Sequence, residues 1–87
     1  NKGQIVGTVF DQNQAVIPNA KVTVKSIATG AVRDLTTGSE GRFQALLLDP
    51  GTYEVRVNAT GFAEAVFTGV IVNVGSSVDL PVTVAVG

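Results

Sequence analysis

The sequence predicts an all-β fold, a seven-stranded antiparallel Greek-key β-sandwich. Three observations predict it. Apolar and polar residues alternate along short stretches, which is the period of a half-buried strand. Glycine, proline and asparagine cut those stretches at short intervals, as turns between strands require. No window repeats its apolar residues at spacings of three and four over several turns, so no helix competes for the same residues.

The stretches follow in order. Residues 4–10, QIVGTVF, form the first. In 20–27, AKVTVKSI, Val22 and Val24 point one way and Lys21, Thr23 and Lys25 the other. The third and fourth are 31–37, AVRDLTT, and 42–48, RFQALLL. In 52–59, TYEVRVNA, Tyr53, Val55 and Val57 oppose Glu54 and Arg56. The sixth, 64–74, EAVFTGVIVNV, is long enough to bend at Gly69, with Val70, Val72 and Val74 on one face. In 77–86, SVDLPVTVAV, Val78, Leu80, Val82, Val84 and Val86 share a face, and Pro81 marks an edge or a bulge because it has no N–H to donate. Gly30 and Gly41 suit tight hairpins, and Pro50-Gly51 suits a turn whose first corner is pre-set by proline. Valine dominates the inward positions; its branched Cβ fits a pleated strand better than a helix.

Composition narrows the function. Eighty-seven residues make one domain, and the missing initiator methionine suggests a piece of a longer protein. Six basic residues balance seven acidic ones for a net charge of -1, so there is no field to draw nucleic acid or acidic lipid. No apolar run is long enough to insert into a membrane as a helix. The absence of cysteine rules out disulfides and thiolate metal cages, and the absence of histidine removes the commonest general base and metal ligand. Ser39, Ser76 and Ser77 therefore have no imidazole to activate them. Asp11, Asp34, Glu40, Asp49, Glu54, Glu64 and Asp79 are scattered over loops and both strand faces, as solvated surface charge is. Catalysis, a cofactor and a resident metal are not expected. Asp11 and Asn13 are spaced to place two oxygens on a calcium ion, but the loop holds no further acid; a turn in which Asp11 accepts backbone N–H groups explains the same residues. A lysine–asparagine cross-link would need a lysine aimed into the core, and Lys21 and Lys25 lie on the polar phase, as do Asn58 and Asn73.

Five apolar residues fall off phase: Val6, Phe10, Leu46, Phe67 and Ile71. Either they are the apolar surface any small sandwich exposes, with some register slips, or they form a patch that docks on a neighbouring domain.

Three segments carry a family resemblance. GTVFDQNQAVIPNAKVTV, 7–24, resembles the opening of the carboxypeptidase regulatory-like domain at Gly7, Val9, Asp11, Pro18, Ala20 and Val22. TGAVRDLTTGSEGRF, 29–43, resembles its next segment at Thr29, Gly30, Gly41 and Phe43. LDPGTYEVRVNATGF, 48–62, resembles its close at Leu48, Pro50, Gly51, Tyr53, Gly61 and Phe62. The chain departs from the family at Gln14 and Asn19, where glycine is frequent, and at Gly38, where aspartate is frequent. The resemblance implies a transthyretin-like (prealbumin-like) sandwich and a non-catalytic accessory module. It further suggests the copies that precede bacterial TonB-dependent outer-membrane receptors, and hence the periplasm, outer membrane or cell surface. Expected partners are neighbouring domains of the same chain or another envelope protein. The alternative is a carbohydrate-binding module with a starch-binding-like sandwich, for which few exposed aromatic rings are on offer.

Overall fold

A computed structural model describes residues 2–87. The seven expected stretches all become strands: β1 Gly3–Phe10, β2 Lys21–Ser26, β3 Val32–Thr36, β4 Arg42–Leu48, β5 Gly51–Asn58, β6 Ala65–Val72 and β7 Ser77–Thr83. They form a three-stranded sheet, β4-β1-β7, packed on a four-stranded sheet, β3-β2-β5-β6. The chain changes sheet after β1, β3, β4 and β6. Only β2–β3 and β5–β6 are therefore sequential hairpins. The turn at Gly41, expected to close a hairpin, is instead a crossover between sheets; there Gly41 has φ +72° and lies against Val16 and the Val9 carbonyl. All pairings are antiparallel except β1–β7, which runs parallel from Gln4↔Ser77 to Phe10↔Thr83.

Strand alternation places the core. Ile5 and Val9 of β1, Val22 and Val24 of β2, Phe43 and Ala45 of β4, Val55 and Val57 of β5, and Val82 of β7 meet between the sheets. Each such side chain taken fully out of water contributes roughly 1.5–3 kcal/mol. Tyr53 joins them at 6% exposure, and its hydroxyl donates to the Asp49 carbonyl at 2.6 Å, so its polar tip is satisfied at the rim. Phe62 packs against the core at one end and bridges to Val86.

Three departures from simple alternation have local causes. In β6 the register with β5 slips between Tyr53↔Val70 and Val55↔Phe67, and Gly69 takes φ +69°. This bulge reverses the phase of the strand. Phe67 therefore turns inward and packs on the core, against the off-phase expectation. Secondly, β6 ends at Val72 and β7 at Thr83, so Val74 and Val86 are exposed instead of sharing the faces of Val72 and Val84. Thirdly, β4 carries three consecutive leucines, and its register with β1 shifts between Gly3 and Ile5. Leu47 absorbs the shift at φ +57° with 73% exposure. A bulky side chain in the left-handed region is strained by about 1–2 kcal/mol. Leu47→Gly loses little burial and relieves this strain, less some backbone entropy. It is expected to stabilise by about 1 kcal/mol, raising Tm by about 4–8 °C in a thermal melt. Gln14 and Asn19, the two positions that depart from the family's glycines, are also left-handed, at φ +68° and +60°.

One buried polar side chain ties the β1–β2 connection to the end of β3. Thr37 Oγ1 accepts from the Ala20 N–H and donates to the Ile17 carbonyl, both at 2.8 Å. Thr37→Val leaves both backbone groups without this partner. The expected loss is about 2 kcal/mol in urea denaturation, while Thr37→Ser keeps most of the stability.

Candidate functional site

The two outward faces of the sandwich differ in chemistry. On the four-stranded sheet, β2 presents Lys21, Thr23 and Lys25, and β5 presents Thr52, Glu54, Arg56 and Asn58. Arg56 donates from Nε to Glu54 at 3.1 Å and from its Nη1 to Glu64 at 3.2 Å. Asn58 donates to the other Glu64 oxygen at 2.9 Å, and Thr23 to Asp34 at 3.3 Å. The Arg56 pairs are surface ion pairs, so their net contribution to stability is small.

On the three-stranded sheet, the central strand β1 turns Gln4, Val6, Thr8 and Phe10 outward. Val6 lies between Gln44 of β4 and Asp79 of β7. Phe10 lies beside Thr83 and bridges to Val16. Leu46 and Pro81 extend the same face, whose strand residues carry only Arg42 and Asp79 as charges. Three of the five off-phase residues, Val6, Phe10 and Leu46, are thus placed on one face. Ile71 is on the opposite sheet, 61% exposed, and Phe67 is in the interior. Leu47 and Val66 are also exposed and escaped the sequence reading. The leucine run was the available signal for Leu47, because three in a row cannot alternate.

A groove of about 180 Å³ opens between β3 and the β4–β5 turn, with Val24, Leu48 and Tyr53 below and Arg33 and Pro50 at its sides. Arg33 donates to the Leu46 carbonyl across one wall. The groove is smaller than a typical ligand pocket of roughly 300–1,000 Å³, and its only ring, Tyr53, has its hydroxyl engaged.

The polar candidates are accounted for locally. Asp11 Oδ1 accepts from the Asn13 N–H at 2.8 Å and the Ala15 N–H at 3.0 Å, which is the turn expected in place of a calcium loop. Among the described residues no three acidic side chains gather to hold a metal ion. Lys2 pairs with Asp49 at the surface. Register sets Lys21 opposite Asn58, beside Glu64, but all three are exposed and nothing desolvates the lysine for attack on the amide. No helix of the described residues is long and apolar enough to cross a membrane.

The model of the carboxypeptidase regulatory-like domain matches residues 4–85. The chain belongs to that family. Solved structures share the family member's sandwich at low identity. It superposes with TM-score 0.83 and 18% identity on the Bacillus anthracis TIE protein, covering 98% of this chain and 16% of that one. For the group B streptococcus pilus 2b backbone protein the values are 0.77 and 21%, covering 100% and 42%. For a candidate carbohydrate-binding protein from Bacteroides uniformis they are 0.75 and 16%, covering 95% and 41%. The chlorocatechol 1,2-dioxygenase of Pseudomonas putida contains a like sandwich, at TM-score 0.74 and 11% identity, covering 98% of this chain and 60% of that one. At these identities the likeness is one of fold. This carboxypeptidase regulatory-like domain spans less than half of each of the first three of these larger chains. No curated protein matches it.

Proposed function

We propose that this carboxypeptidase regulatory-like domain is a non-catalytic structural module of a bacterial cell-envelope protein. Its host is a TonB-dependent outer-membrane receptor, and it works in the periplasm or at the cell surface. One observation carries the reading: the outward faces are unequal. The four-stranded face carries most of the charge, with Arg56 paired to Glu54 and Glu64, and suits water. The face of Val6, Phe10 and Leu46 is sparsely charged, with Arg42 and Asp79 alone among its strand residues, and suits a neighbouring domain of the same chain. Docking there would orient the neighbour on a rigid two-layer body. The recurrence of this sandwich as one part of longer chains supports such a role.

Hydrogen exchange on the host protein, compared with the isolated 87-residue chain, tests it. Amides of β1 and β4 beside Val6 and Leu46 should be better protected in the host, and Val6→Glu should cancel the difference. Equal protection in both would refute docking through this face. The sequence of the host gene tests its identity: a plug and barrel region after this domain supports the receptor, and another architecture refutes it.

Carbohydrate binding is the second reading, favoured by the likeness to the Bacteroides uniformis protein. Since Phe67 is partly buried against the core, Phe10, on the outward phase of β1, is the ring left to stack on a sugar. Glycan-array binding that vanishes in Phe10→Ala would favour this reading over docking.

A further inference from the structure

Four strands bound the two sheets, and three of them are guarded by charge or proline against pairing with a stranger. β3 is five residues long and carries Arg33 and Asp34. β4 begins at Arg42 and is kinked at Leu47. β7 carries Asp79 and Pro81. Charges, proline and kinks of this kind keep a free edge from recruiting another chain. β6 lacks the charge and the proline: it is eight residues long, lies at the edge beside β5, and has only the bulge at Gly69 as a guard. No charged residue occurs between Glu64 and Asp79.

Its one irregularity is the bulge at Gly69, and that bulge gives the strand a particular symmetry. Ala65 and Phe67 face inward before it; Val70 and Val72 face inward after it. Val66 and Ile71 face outward, at 44% and 61% exposure. The pattern reads the same in both directions about the midpoint between Thr68 and Gly69. A strand of unbroken alternation would put opposite faces together about such a midpoint. Here an antiparallel copy sets Ala65 opposite Val72, Val66 opposite Ile71 and Phe67 opposite Val70, with every residue on the matching side. The two kinks coincide at the axis. Glu64 of each copy meets Asn73, an amide, so no like charges confront each other.

We propose that β6 is a self-association edge, through which two copies of this chain join about a two-fold axis between Thr68 and Gly69. The two four-stranded sheets become one continuous eight-stranded sheet. The arrangement is isologous, uses up both β6 edges and closes as a dimer. It rests on the edge alone and leaves the face of Val6 and Phe10 free.

Sedimentation of the 87-residue chain from micromolar to millimolar concentration tests the proposal. A monomer–dimer equilibrium is expected. A monomer throughout, as when the edge serves another protein's strand, would overturn it, and so would open-ended assembly. Register is tested by charge. Val66→Glu with Ile71→Glu should weaken the dimer by about tenfold or more, through two like-charged contacts. Val66→Glu with Ile71→Lys should restore it, because each glutamate then meets a lysine of the other copy. Both positions are exposed, and circular dichroism checks that each variant stays folded. A dimer indifferent to this charge swap would refute the register.

Discussion

Val55→Asp is expected to abolish cooperative folding. Val55 is fully buried on β5, between Val24 of β2 and Phe67 of β6 in the ladder. The substitution removes a packed aliphatic group and puts a carboxylate where only aliphatic and aromatic neighbours are available. The transfer loss of roughly 1.5–3 kcal/mol adds to the burial of an unpaired charge or, if the acid protonates, of an orphaned carboxyl group, together about 5 kcal/mol or more. A domain of this size holds only about 5–10 kcal/mol in reserve. The amide region of the proton NMR spectrum should collapse and the thermal transition disappear. A dispersed spectrum with Tm near that of the parent would show that Val55 does not occupy the centre of the core. Val55→Thr, nearly isosteric and uncharged, should stay folded with reduced stability.

Gly7→Ala is the second large effect, and it comes from contact instead of charge. Gly7 faces inward from the central strand of the three-stranded sheet, where a Phe43 ring fills the place a side chain would take. An added Cβ would fall 2.5 Å from Phe43 Cζ and against the Leu80 carbonyl. The ring can rotate away only by leaving its own packing, and the carbonyl belongs to the paired strand β7. Overpacking of this kind costs about 3 kcal/mol, so Tm should fall by about 12–24 °C. Gly7→Ala combined with Phe43→Leu makes room and should recover part of the loss. A single methyl at Gly51, where nothing lies within 4 Å, has no such neighbour to displace.

These two sites mark what the sequence shows readily. Alternation around Val55 and the resemblance at Gly7 and Phe43 both locate the interior, because local periodicity and burial are one phenomenon in a two-layer fold. All seven strands were legible for that reason, and so was the edge position of Pro81, since a missing donor is intrinsic to the residue. Phase across an irregularity was not. Gly69 announced a bend, but a bend and an inserted residue look alike in sequence, and only the latter moves Phe67 from outside to inside. The strain at Leu47 was equally hidden, because it arises from matching β4 to β1 and not from anything in β4 alone. The candidate surface was half legible: Val6 and Phe10 share β1, but Leu46 comes from β4, and its place beside them depends on sheet order. The parallel pairing of β1 with β7 is the extreme case, a relation between residues some seventy positions apart that no local pattern encodes.

That pairing has a mechanical consequence. Because β1 and β7 run side by side in the same direction, the chain enters the ladder at one end of the body and leaves it at the other. Tension applied across those two points drags the strands lengthwise past each other, so the rungs from Gln4 to Phe10 resist together in shear. A hairpin pulled at its open end would yield one rung at a time.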